Sequence, residues 1–157
     1  MDVSKLLLLN DSEIQRAKKT KSLGVIVDEG LRWEQHFKVV KGKARSSLST
    51  LNILKSLVAQ KQLDNLYQAL IKSHLQYTDD IWGSIPCSKT KILQNLHNQA
   101  CTIIERAKIK DNWSYKWVNV EQLMNFDRTA MTYQVMNRVC PESLWDKLLP
   151  DILVFKL

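Results

Sequence analysis

From Trp33 to Val58 the apolar residues recur at steps of three and four: Trp33, Phe37, Val40, Ala44, Leu48, Leu51, Leu54 and Val58. That spacing follows one face of an α-helix, not the alternation of a strand. A stripe this long needs a covering layer, so the chain is committed to packing helix on helix. Three further stretches supply that layer. Leu63, Leu66, Tyr67, Leu70, Ile71 and His74 line one side of a second helix, set off from the first by a break near Ala59-Gln60. Ile92, Leu96, Ala100, Ile103, Ile104 and Ala107 line a third, for which Ser88 is the candidate cap. Asn119 is placed to cap a fourth, bearing Leu123, Ala130, Met131 and Val135. Pro141 suits the first turn of a short fifth helix through Leu149, which Pro150 ends. Four glycines and three prolines in 157 residues leave little turn chemistry for a many-stranded sandwich. Gly42, inside the first helix, weakens it by roughly 1 kcal/mol relative to Ala and allows a bend.

Before Leu31 the pattern is β-like. Leu6 to Leu9 is a short apolar run stopped by Asn10-Asp11. Leu23-Gly24-Val25-Ile26-Val27 is a second, closed by Asp28-Glu29-Gly30, and Ile14 is a candidate start for a third short strand. The expected fold class is mainly α: a short N-terminal β-strand pair followed by a bundle of about five helices. The segment from Tyr77 to Ser88, with Gly83 and Pro86, reads as a loop, and Asp111 to Trp117 as a polar, aromatic linker. The expected organisation is a β-hairpin-like part over 1–30, a helical bundle over 31–110 and a helical extension over 111–157.

Apolar residues at 45% and charged residues at 25% give the balance of an ordinary globular fold and exclude collagen-like, mucin-like and wholly disordered chains. The run Leu6 to Leu9 is far short of the ~20 apolar residues that span a membrane, and no secretory signal is legible. The expectation is an intracellular protein, nuclear or cytoplasmic and not secreted, with no membrane partner. Cys87, Cys101 and Cys140 are odd in number and lack CxxC spacing, which argues against a disulfide framework or zinc ribbon. His36, His74 and His97 lie far apart with no Cys or carboxylate at ligand spacing, so neither a metal nor a cofactor is expected in this chain. No Ser-His-Asp arrangement is legible around them.

A net charge of +7 favours a polyanionic partner, nucleic acid first. Between Glu34 and Asp64 there is no acidic residue, while Lys38, Lys41, Lys43, Arg45, Lys55 and Lys61 fall there. At about 100° per residue Lys38, Lys41 and Arg45 share one flank of the first helix and Lys43 takes the other. Three cations in a row can follow a phosphate backbone with salt-dependent, sequence-blind affinity. The five tryptophans, Trp33, Trp82, Trp113, Trp117 and Trp145, read as packing residues, and only exposure of Trp113 and Trp117 in the polar linker would suit stacking on bases.

Tyr77-Thr78-Asp79-Asp80 has the Tyr-x-Asp-Asp form in which reverse transcriptases hold two Mg²⁺ ions. That chemistry needs a β-hairpin tip and a third carboxylate from another strand. Here the tetrapeptide follows helical spacing and precedes Trp82-Gly83 and Pro86, and Asp11 and Asp28 both sit in turns. The expected reading is a solvated loop with no catalytic residue.

The order of landmarks nevertheless resembles a known family. Lys21-Ser22-Leu23-Gly24-Val25-Ile26-Val27-Asp28, with Leu31, Trp33 and His36, is similar to the "KYLGVxxDxxLxWxxH" stretch of reverse transcriptases from jockey-like non-LTR retrotransposons. Tyr77 with Trp82-Gly83 resembles that family's "YxxxxWG". Leu93 to Ala100 resembles "LQxxQNRA", and Ile103-Ile104 the "RII" that comes after it. Arg128, Arg138 and Pro141 to Leu144 resemble its C-terminal ending. The resemblance runs from about Leu6 to Leu149.

In that family the catalytic hairpin and its Mg²⁺ lie upstream, in a palm domain. The resemblance therefore implies a fragment of an RNA-directed DNA polymerase that is inactive alone. It would comprise a palm-edge hairpin with a primer-grip-like Leu23, Gly24 and Val25, then a thumb-like bundle. Its partners would be the palm of a longer chain and an RNA–DNA hybrid or DNA, bound weakly and without sequence preference through Lys38, Lys41 and Arg45. Departures are Ser22, Gln99 and Thr102, which stand where the family has a tyrosine and two arginines. The alternatives are a helical protein-interaction module and a non-functional retroelement remnant.

Overall fold

The computed structural model describes residues 8–9, 12–13, 16–107 and 117–142. Among the described residues the chain is mainly helical, with antiparallel strand pairs first and a bundle of five helical segments after them. Strand β1 (Leu8–Leu9) pairs with β2 (Ser12–Glu13), and β3 (Lys19–Ser22) pairs with β4 (Val25–Asp28), Ser22 opposite Val25. Leu23 and Gly24 therefore form the tip of the second hairpin rather than the start of a strand. Both have left-handed backbones, φ 47° and 84°, which is the two-residue turn whose twist matches its flanking strands. Glycine adopts this readily, but a leucine does so only under tertiary constraint. The constraint is the Tyr77 hydroxyl, which donates to the Leu23 carbonyl at 2.6 Å. Ile14 and Leu6 lie outside the described residues.

The turn into the first helix is built by Asp28. Its carboxylate accepts the amides of Arg32 at 3.0 Å and Trp33 at 2.8 Å, and its carbonyl accepts that of Leu31 at 2.9 Å. Those amides stabilise the anion and hold Asp28 below the usual carboxylate range. They also fix Leu31 and Trp33 at φ 49° and 60°, so Trp33 is buried beside α1 (Glu34–Leu54) but outside it. Helix α1 runs unbroken through Gly42 and buries Phe37, Val40, Ala44 and Leu51 of the expected stripe, together with His36.

Helix α2 (Gln60–Tyr67), a π-helical turn (Gln68–Lys72) and α3 (Ser73–Gln76) make one continuous segment. The π turn is unsignalled by apolar spacing. It sits where Ser47 of α1 donates to the Leu70 carbonyl at 3.1 Å, so the neighbouring helix takes up a displaced acceptor. The expected loop after Tyr77 contains a single turn, α4 (Asp79–Trp82). Helix α5 (Cys87–Glu105) begins one residue after Pro86 without a side-chain cap, which places Ser88 inside the first turn and corrects its reading as the cap. Asn119 does cap α6 (Val120–Met136): it accepts the Gln122 amide at 2.7 Å, and Gln122 accepts the Asn119 amide at 3.1 Å in return. Gln94 of α5 accepts the Val120 amide at 2.7 Å and ties the two helices together. The expected helix from Pro141 to Leu149 lies, beyond its first two residues, outside the described residues.

One core joins β4 to the helices. Val25 of the hairpin, Phe37 and Leu51 of α1, Leu63 and Ile71 of the second segment, Trp82, Leu93 and Met124 belong to a single buried cluster. Each large side chain fully buried there contributes roughly 1.5–3 kcal/mol. No helix among the described residues is long and apolar enough to cross a membrane.

Candidate nucleic-acid interface

The continuity of α1 sets the spacing of its cations. Lys38 and Arg45 are exposed and Lys41 is half-buried at the edge of the stripe. Seven residues of helix separate Lys38 from Arg45, about 10 Å. One strand of a duplex presents about three phosphates over that axial length. Among the described residues none of these three cations makes an ion pair. The nearest carboxylate along the chain, Glu34, is taken by Lys89 of α5 at 2.5 Å. The flank therefore keeps its charge.

Composition alone missed a second basic surface. Lys18, Lys19 and Lys21 are all exposed on or beside β3, and Lys19 and Lys21 share a face because strand side chains alternate. Their two-residue spacing was the available signal. Arg16 is engaged by Glu29. On α5 the positions where the resembled family carries arginines are uncharged here. Gln99 and Thr102, with Asn95, Asn98 and Ile103, border a shallow concavity of about 500 Å³ on the helix's outer face.

Leu23, Gly24 and Val25 sit at the hairpin tip. Leu23 is 87% exposed and Val25 is buried. They belong to a closed set of contacts that also draws in Tyr77, Trp82 and His36. Tyr77 holds the Leu23 carbonyl, and the Trp82 indole N–H donates to the Tyr77 carbonyl at 2.8 Å. The fully buried Trp82 ring meets His36 edge-on at 5.3 Å, and His36 Nδ1 accepts the Ile26 amide at 3.4 Å. Residues about 50 positions apart in sequence thus position one another.

The Tyr77-Thr78-Asp79-Asp80 segment corrects its reading as a solvated loop. Thr78 turns the chain at φ 54°, and Asp79 is buried with Oδ2 lacking a partner, while Asp80 is exposed. Burial, then the neighbouring carboxylates of Asp127 and Asp80, push Asp79 up to about 7. The segment is a helical turn, which is not the hairpin tip that metal-dependent nucleotidyl transfer needs. Among the described residues no group of His, Cys, Asp or Glu is placed to hold a metal ion.

His97 is buried against Tyr67, whose hydroxyl lies 2.6 Å from Nδ1. Trp117 packs edge-on to both rings and donates to Glu105 at 2.8 Å, so this tryptophan is a packing residue and not a stacking platform. Trp113 lies outside the described residues. Cys101, beside His97, has its thiol pushed up to about 12 by burial and by Glu105, which makes it inert.

No protein-family model, curated protein or solved structure matches the chain. Any functional reading therefore rests on the residues themselves.

Proposed function

We propose that this chain is the thumb-like part of a non-LTR retrotransposon reverse transcriptase, which holds a template–primer hybrid and leaves catalysis to a separate palm. The observation that carries the reading is the row of Lys38, Lys41 and Arg45 along α1, free of ion pairs among the described residues and spaced to match phosphates. The order of sequence landmarks supports it independently. Magnesium and the catalytic carboxylates belong to the palm, the partner this module would dock against, and the working compartment would be nuclear or cytoplasmic.

The test is a titration against RNA–DNA hybrid at several salt concentrations between about 50 and about 200 mM. Binding should weaken steeply with salt. Replacing Lys38, Lys41 and Arg45 together by Gln should reduce the slope of log K against log salt by about three. Absence of binding at the lowest salt, or an unchanged slope, overturns the reading. Primer extension with Mg²⁺ should give no incorporation by the pure chain, and clear incorporation would overturn the assignment of catalysis to the palm.

A second reading, a helical protein-interaction module, is favoured by Phe126 and Tyr133. They lie seven residues apart on one side of α6 and are 70% and 65% exposed. Analytical ultracentrifugation discriminates: a dilute monomer that binds no apolar dye removes this reading.

A further inference from the structure

Between the tip of the β3–β4 hairpin and the helices lies a cleft of about 320 Å³, with Gly24, His36, Val40, Lys43, His74 and Tyr77 in its walls. Its chemistry is one-sided. His36 is only 3% exposed, and its Nδ1 accepts the Ile26 amide. A ring nitrogen that accepts carries no proton, so the neutral imidazole bears its proton on Nε2. That Nε2–H is buried and has no hydrogen-bond partner. A donor left in this condition is destabilising, and an acceptor oxygen placed beside it removes that penalty.

The rest of the cleft supplies positive charge and more donors. Burial and the Lys43 ammonium together hold both His36 and His74 below the usual histidine range, so both rings are neutral donors at pH 7. Lys43 makes no ion pair among the described residues. No carboxylate lines the cleft, and the Tyr77 hydroxyl proton is spent on Leu23. One full cation and the two uncharged imidazoles therefore line a space large enough for a small oxyanion.

We propose that this cleft is a phosphoryl-binding site, in which Lys43 neutralises the anion while His36 Nε2–H and His74 donate to its oxygens. The phosphoryl group has two possible sources, a free phosphate or an internal phosphodiester of a nucleic acid. Geometry admits the second. Lys43 lies on the opposite flank of α1 from Lys38, Lys41 and Arg45, and Gly42 stands between them, with nothing within 4 Å of where its Cβ would be. At Gly42 itself a strand crossing the helix meets no side chain.

The experiment follows the imidazole C–H resonances of His36, His74 and His97 by NMR at constant ionic strength. One arm titrates inorganic phosphate, and the other a short single-stranded DNA without terminal phosphates. Saturable shifts at His36 and His74, with buried His97 unmoved, are expected in at least one arm. Lys43→Gln, at an exposed position, should weaken the effect at least tenfold. Response to phosphate alone assigns a free anion, and response to DNA at lower concentration assigns the backbone. No saturable shift of His36 with either probe overturns the site, as does an unchanged response in Lys43→Gln. The Lys38, Lys41 and Arg45 variant keeps its phosphate response if only the hybrid-binding reading fails, so the two failures are distinguishable.

Discussion

Asp79→Asn is the perturbation whose consequence is set most directly by the geometry. Asp79 is 1% exposed, its Oδ2 has no partner, and the nearby carboxylates are Asp127 of α6 and Asp80 of its own turn. Asp127 is held in place by the Gln76 amide at 2.8 Å. In the unfolded chain an aspartate ionises near 4, whereas in the fold Asp79 keeps its proton up to about 7. Between those values the folded state binds one more proton than the unfolded state, so this group's contribution to stability falls as pH rises through the window. It is fully present below about 4 and is lost above about 7. Roughly three pH units at ~1.4 kcal/mol each set the total loss on the order of 4 kcal/mol.

Asparagine cannot ionise and is free of this loss. The stability difference between Asp79→Asn and the parent should therefore move in favour of the variant, by about 4 kcal/mol between roughly pH 4 and pH 8. Urea unfolding of both proteins across that range measures it. His36, His74 and His97 are all held below the usual histidine range, chiefly by burial. They cost stability as pH falls below about 6.5, because the unfolded chain takes up protons first. They do so equally in both proteins and cancel in the difference. A difference independent of pH would falsify the argument, since it would mean that the folded protein holds Asp79 ionised throughout.

Three stability changes test the packing. Gly42→Ala should raise stability by up to about 1 kcal/mol, because an added methyl meets nothing within 4 Å and the helix gains propensity. Gly83→Ala should lower it by about 1–3 kcal/mol, because a Cβ there runs into the Asp79 carbonyl and lies 2.8 Å from Arg128 Nη2. Tyr67→Phe should cost about 1–3 kcal/mol by leaving His97 Nδ1 buried without the hydroxyl. Chemical denaturation reads all three, and the opposite signs of the two glycine substitutions make a general effect of alanine easy to recognise.

The helices are legible in the sequence because their signals are local. The stripe from Phe37 to Leu51 specifies a buried face whatever packs on it, and Asn119 with Gln122 carries its capping chemistry within four residues. Sequence and structure part where a distant partner decides. Leu23 turns because Tyr77 holds its carbonyl, and nothing near Leu23 announces that bond. The π turn accompanies a hydroxyl from Ser47, more than 20 residues earlier. The sequence points to a solvated Asp79 because a carboxylate beside another carboxylate is usually exposed, yet the packing of α4 on α6 buries it. The cationic flank needs only helical periodicity to find. The phosphoryl cleft needs three segments to meet, and no single stretch encodes it.

The same distinction bears on what the resemblance is worth. Leu23, His36, Tyr77 and Trp82, which carry two of its motifs, are engaged with one another through a hydroxyl, an indole N–H and ring edges. Their chemistry is that of fixing a hairpin onto a helix, and a chain keeps such residues for packing whatever it binds. Lys38, Lys41 and Arg45 stand in the opposite position, contributing charge to the surface and little to the core. Loss of hybrid binding on replacing them, with an unchanged unfolding curve, would tie the charge to function. Replacing Trp82 should unfold the hairpin's seat instead and would say nothing about nucleic acid. The landmarks argue for the fold, the cations argue for the partner, and each must be tested by its own kind of measurement.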